Sequence, residues 1–145
     1  MAESLGCHGE INWISQIPQQ ELFALYGTMH CFLFPSLHDS SGNVVLEAQA
    51  NGLPVVCLAV GGPATLVTHK SAIVVATDGS EADVMEDLAA ALQRLFADEG
   101  RRLEMAKAAI QHAASFTWSG RAFGALATIT RSDVGNSGQN SLEKS

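Results

Sequence analysis

The sequence predicts an α/β domain, a parallel sheet of about four short strands with helices on its flanks. Short apolar runs recur along the chain at Ile11–Ile14, His30–Pro35, Pro54–Val60 and Ser71–Ala76. Between them lie segments whose apolar residues repeat at helical spacing, and this alternation of strand and helix is the pattern of parallel sheets joined by crossover helices. The runs HCFLFP and PVVCLAV are almost continuously apolar rather than alternating. That is expected of strands covered on both faces.

Each element has a local cause. Residues 1–9 are a polar lead-in, and Ile11-Asn12-Trp13-Ile14 has strand character. Pro18 opens a helix with an apolar stripe of Leu22, Leu25 and Tyr26, since the amide that proline lacks would be unpaired in a first turn. The β-branched content of Pro54–Val60 favours strand over helix. Gly61-Gly62-Pro63 ends that strand and leads to a short helix, Ala64–Val67. After Ser71–Ala76 and the turn Thr77-Asp78-Gly79, Ser80 and Asp83 form a near capping box. The helix they start presents Val84, Leu88, Ala91, Leu92 and Leu95 inward, and Gly100 is expected to break it. A further helix, Arg101–Ala114, is expected to bury Leu103, Ala106, Ile110 and Ala113. A last helix runs from about Ser119 to Ile129. The organisation is one domain over residues 1–130, followed by a polar tail, 131–145. That tail is too poor in apolar residues to repay its ordering entropy.

Composition narrows the function. Among 145 residues, 47% are hydrophobic, enough for a core, and 15 acids against 8 bases give a formal charge of -7. No basic stripe points to nucleic acid, so an anionic ligand would have to bind through backbone dipoles rather than the global field. Cys7, Cys31 and Cys57 are odd in number and widely spaced, which fits reduced structural thiols in a cytoplasmic protein better than disulfides or a zinc site. The histidines lack ligand spacing, so no metal is expected. No leader pattern is seen at the start, and no apolar run nears the ~20 residues of a membrane span.

The stretch Phe34–Pro54, FPSLHDSSGNVVLEAQANGLP, carries the chemistry. A strand end, a small polar loop and a helix form an anion-binding arrangement, because helix N-terminal amides and the helix dipole favour negative charge. Glu47 lies one turn into the helix, and Asp39 precedes it in the loop. A diphosphate on the amides with hydroxyls on the carboxylates describes a nucleotide-sugar. On the residues alone a plainer reading also stands, in which Asp39 and Ser40 cap the helix and Glu47 is a satisfied half-buried acid. Gly61-Gly62 is likewise either a second lip of the crevice or a turn.

These residues resemble the signature of the retaining "group 1" glycosyltransferases of the GT-B fold. Pro35-Ser36 matches the family's strand end, Leu46-Glu47-Ala48 its helix, and Gly52-Leu53-Pro54-Val55-Val56 its next strand. The resemblance runs from about Gly9 to about Ala127, and Phe116-Thr117-Trp118 is similar to the family's closing Phe-Ser-Trp. It implies a Rossmann-like donor-binding domain in which Glu47 binds the ribose and Asp39, where the family usually has Glu, lies near the transferred sugar. Gly42 matches the second glycine of the loop, which would bring the amides of Asn43 and Val44 to the diphosphate. No metal or other cofactor is implied. Ser15 replaces a family glycine, and no acid follows Gly62-Pro63.

Two further strands of the family's donor domain, an Arg/Lys pair that neutralises the diphosphate, and the acceptor domain with its catalytic-site His have no counterpart in the sequence. The resemblance therefore implies a donor-binding fragment with little activity alone and catalytic residues elsewhere. In the Rossmann order 3-2-1-4-5-6 the strands without counterparts fall between this chain's first and second. Ile11–Ile14 must then either pair directly with His30–Pro35 or leave an apolar edge open to a second copy or a complementing chain. The alternative function is a non-catalytic binding or scaffold subunit completed by a partner, with a GT-B nucleotide-sugar epimerase behind it.

Overall fold

The computed structural model describes residues 11–38 and 42–116. In chain order it contains α1 (Gln19–Tyr26), β1 (Phe32–Phe34), α2 (Asn43–Ala50), β2 (Val55–Leu58), α3 (Gly61–Thr65), β3 (Ala72–Val75), α4 (Glu81–Ala97) and α5 (Glu99–Ala114). The strands form one parallel sheet in the order β1-β2-β3, with Phe32 opposite Val55 and Val55 opposite Ala72. The fold class is therefore the expected α/β, Rossmann-like sheet, built from three strands among the described residues. The predicted helix Ser119–Ile129, the tail 131–145, the lead-in 1–9, Thr117-Trp118 and Asp39 lie outside those residues.

The two sheet faces are set by strand alternation. On one face Val55, Cys57 and Ala72 pack against Val45 of α2. On the other, Val56, Leu58 and Val75 pack against Leu88, Ala91 and Leu95 of α4. All four residues of β2 are buried, as a central strand between two helical layers requires. Tyr26 of α1 closes the α2 side together with Ala48 and Leu53, and its ring meets that of Phe32 edge-on at 5.8 Å.

Several expectations are corrected. Ile11–Ile14 forms no strand, and Trp13 is 70% exposed. A strand needs a neighbour for its amides and carbonyls, and Ile11–Ile14 does not pair along β1, whose outer edge has no strand partner among the described residues. β1 itself is covered on one face only: Phe32 and Phe34 turn toward α2, whereas Leu33 is 40% exposed. The glycine pair starts α3 rather than preceding it, with the helix at Gly61–Thr65 instead of Ala64–Val67.

The break between the last two helices falls at Asp98, not Gly100. Asp98 leaves the helical region (φ -125, ψ 91) and its carboxylate accepts from the Arg101 amide, so it caps α5 while Gly100 sits inside that helix's first turn. A side-chain cap on a new helix outweighs one glycine's helix penalty. The inward face of α5 is also different. Met105 and Ala109 are buried, whereas Leu103 and Ile110 are about half exposed. Both faces have helical periodicity, and Met105 and Ala109 are the ones turned inward. The α4 stripe is as expected, with Val84 and Leu92 packed at its margins.

Candidate functional site: the N-terminus of α2

The site is built where β1 hands over to α2. Gly42 is the N-cap residue of α2, held in the left-handed region (φ 60, ψ 17), and has no side chain to offer the helix amides. A Cβ at this position would lie 2.8 Å from Leu66 Cδ1 and 3.1 Å from both the Cα and the N of Pro63. Glycine is therefore needed twice, for its backbone conformation and for the close approach of α3. The α3 turn abuts the α2 N-terminus, and Gly61 is itself at φ 65.

The sequence did not single out the residue that ties these two elements together. Gln49 is fully buried, and its side-chain nitrogen donates to the Leu66 carbonyl at 2.8 Å. Gln49 Oε1 has no partner among the described residues. Gln49 and Val45 lie one turn apart on the buried stripe of α2. A polar residue on that stripe was the available signal. Through Gln49 and Gly42, α3 is anchored to α2 at two points along the helix.

The Val45 amide donates to Gly42 O at 2.9 Å, while the amides of Asn43 and Val44 have no backbone acceptor among the described residues. There is no acid in the first turn of α2. The first 69 residues contain no Lys or Arg. Among the described residues the basic side chains His69, Lys70 and Arg101 line a separate cleft of about 340 Å³ beside α5.

Glu47 is half-buried on α2. It follows Asn43 by four residues and so shares its helix face, roughly 6 Å further along the axis. Its carboxylate lies toward Tyr26, whose phenol is pushed up from its ordinary value, first by burial and then by the charge of Glu47. The structure thus brings Gly42, Asn43, Val44 and Glu47 to one end and one face of α2. Asp39, the fifth expected residue, lies outside the described residues. Among the described residues no group of three His, Cys, Asp or Glu side chains is placed to hold a metal ion. Cys57 is buried and Cys31 half-buried, both free, with burial raising each thiol's pKa. No described helix is long and apolar enough to cross a membrane.

Residues 1–112 match the family described as "Glycosyl transferases group 1". The chain belongs to this family. It is 37% identical over 123 residues to a D-inositol 3-phosphate glycosyltransferase of Corynebacterium aurimucosum, covering 84% of this chain and 28% of that protein. A protein of the same name from Salinispora arenicola is 37% identical over 126 residues, covering 87% of this chain and 27% of the relative. Among solved structures, WaaG, a glycosyltransferase involved in lipopolysaccharide biosynthesis, superposes with a TM-score of 0.68 at 27% identity, over 79% of this chain and 30% of WaaG. Sucrose-phosphate synthase from Thermosynechococcus elongatus has the same fold, with a TM-score of 0.71 at 24% identity over 91% of this chain and 33% of the synthase. The chain thus spans less than a third of the length of the curated relatives it matches.

Proposed function

We propose that this chain binds the nucleotide-sugar donor of a retaining glycosyl transfer, with the diphosphate on the α2 N-terminus and the ribose on Glu47. The observation that carries this reading is the combination at α2. A glycine N-cap leaves two amides without a backbone acceptor among the described residues, and one turn below them on the same face is a half-buried carboxylate. Diphosphate and ribose hydroxyls are neighbours within a nucleotide and need an anion site and an acceptor of hydroxyl protons at about that separation. Asp39 is assigned the transferred sugar. No metal is required, since the helix N-terminus supplies the positive potential.

Chemically, such a site holds the leaving group. As the glycosidic bond breaks, charge accumulates on the diphosphate, and donors already aimed at it stabilise the transition state. Without a basic pair on the same phosphates and without an acceptor, the chain by itself is expected to bind donor and not to turn it over.

The test is calorimetric titration with UDP, GDP and ADP, repeated on Glu47→Ala. One diphosphate should bind, and the variant should lose about 10- to 100-fold in affinity, as for removal of a hydrogen-bonding charged group. Equal affinity of Glu47→Ala and the parent chain would exclude Glu47 as the ribose acid. D-inositol 3-phosphate, named for the relatives, is the first acceptor to pair with the donor so identified.

A further inference from the structure

The β3 side of the sheet presents a surface complementary to itself. β3 is an edge strand among the described residues. Across β2 and β3 the amides of Val55 and Ala59 donate to the carbonyls of Ser71 and Val75. Backbone direction alternates along a ladder strand, so Ala72 and Val74, and Ala76 just beyond, turn their amides and carbonyls outward. The strand reads Ala-Ile-Val-Val, with neither charge nor proline, two of the devices by which open edges avoid pairing. Val74 is 41% exposed.

The helix layer flanks this edge with charge. Asp87 and Arg94 of α4 line a shallow groove of about 200 Å³ together with Ile73, Val74, Val75 and Ala76. The two charged residues stand two turns apart on α4, roughly 10 Å, too far to pair with each other. Neither has an ion-pair partner among the described residues. Arg94 Nε donates to the Ala90 carbonyl at 3.3 Å. Ala90 itself, a small residue, lies between Asp87 and Arg94 on the same side of the helix.

A two-fold axis normal to the sheet at Val74 satisfies both layers at once. In the strand layer it sets two copies of β3 antiparallel, Val74 opposite Val74 and Ala72 opposite Ala76, all through outward-facing backbone groups. In the helix layer it sets two copies of α4 antiparallel on one face of the extended sheet, with Ala90 near the axis. The order acid, alanine, base in one copy then meets base, alanine, acid in the other, and each Asp87 faces an Arg94. Lys70 and Asp78 lie equally far from Val74 along the chain, so the same axis brings each Lys70 toward the second copy's Asp78. An unrelated strand could complete the ladder, but the reversed order of charge is matched by a second copy of this chain.

We propose that β3 and α4 form a two-fold homodimer interface, in which antiparallel pairing of β3 continues the sheet and two Asp87–Arg94 pairs fix its register. Four residues make a short ladder, and the helix layer supplies the remaining contact and the specificity. The surface lies at the β3 edge on the α4 face, and the proposal is independent of donor binding at α2.

The test is sedimentation equilibrium of the chain from about 1 μM to about 1 mM, with Asp87→Arg, Arg94→Asp and an equimolar mixture of the two variants. The parent chain should dimerise. Each variant alone sets like charges together at both contacts and should weaken the dimer about 10- to 100-fold. The mixture should restore it, because in the heterodimer both contacts are again acid to base, and this rescue also shows that both variants are folded. Amide exchange should slow at Val74 on dimerisation and stay unchanged at Leu33 on the opposite edge strand. A chain that stays monomeric over that range, a dimer indifferent to both reversals, or a mixture as weak as the single variants would each overturn the proposal. So would a dimer that protects Leu33 and not Val74, which would place the interface on β1.

Discussion

The N-termini of α2 and α4 are two solutions to one physical problem, the amides that a helix start leaves without acceptors. α4 solves it internally. Ser80 Oγ accepts from the Asp83 amide at 3.3 Å, and Asp83 Oδ2 accepts from the Ser80 amide at 2.9 Å and from its hydroxyl at 2.7 Å. Glu81 adds a second acid in the first turn. α2 begins with a glycine, no side-chain cap and no acid. The α4 start carries a side-chain cap, and the α2 start carries none among the described residues.

The contrast yields a graded set of outcomes. The largest is expected for Gly42→Ala, which combines a left-handed backbone with a Cβ too close to Pro63 and Leu66. Strain and overpacking together should cost about 3 kcal/mol. Urea denaturation would show it, and a loss below 1 kcal/mol would mean that α3 is not held against α2 as described. Next is Ser80→Ala, which should cost about 1 kcal/mol and leave nucleotide affinity unchanged. An altered affinity would deny the division between a structural and a binding helix start.

The capping box also carries a pH signature. The hydroxyl and then the amide of Ser80 hold the Asp83 carboxyl below its ordinary pKa. The box's contribution is therefore complete above the ordinary carboxylate value and is lost as pH falls through the lower, folded value. Comparing parent and Asp83→Asn by denaturation across that range should show the two curves converging at acid pH. Curves that stay parallel would remove the linkage.

The smallest effect on stability discriminates best. Asn43→Asp places an acid in the first turn of α2 and should stabilise the helix by a few tenths of a kcal/mol, up to about 1 kcal/mol. It should at the same time weaken nucleotide diphosphate binding by calorimetry, since the new carboxylate competes for the same amides. A variant that gained stability and kept its affinity would move the diphosphate away from α2.

The sequence by itself determined much of the fold and pointed to the stretch that carries the candidate site. Continuous apolar runs marked β1, β2 and β3, the 3.6-residue stripe marked α4, and Ser80 with Asp83 marked its start, because these signals are local and survive any tertiary context. Gly42 and Glu47 were legible for the same reason, lying in one short stretch whose order resembles a family signature. Tertiary structure decided what depends on neighbours distant in sequence. Ile11–Ile14 has strand chemistry but pairs with no strand in the structure. α5 has two apolar faces, and its packing chose Met105 and Ala109. Gln49 anchors α3, and Gly42 is locked by Pro63, through contacts that arise only when the α3 turn folds back on α2. A pattern along the chain records what each residue prefers, and only the assembled sheet determines which of those preferences can be met together.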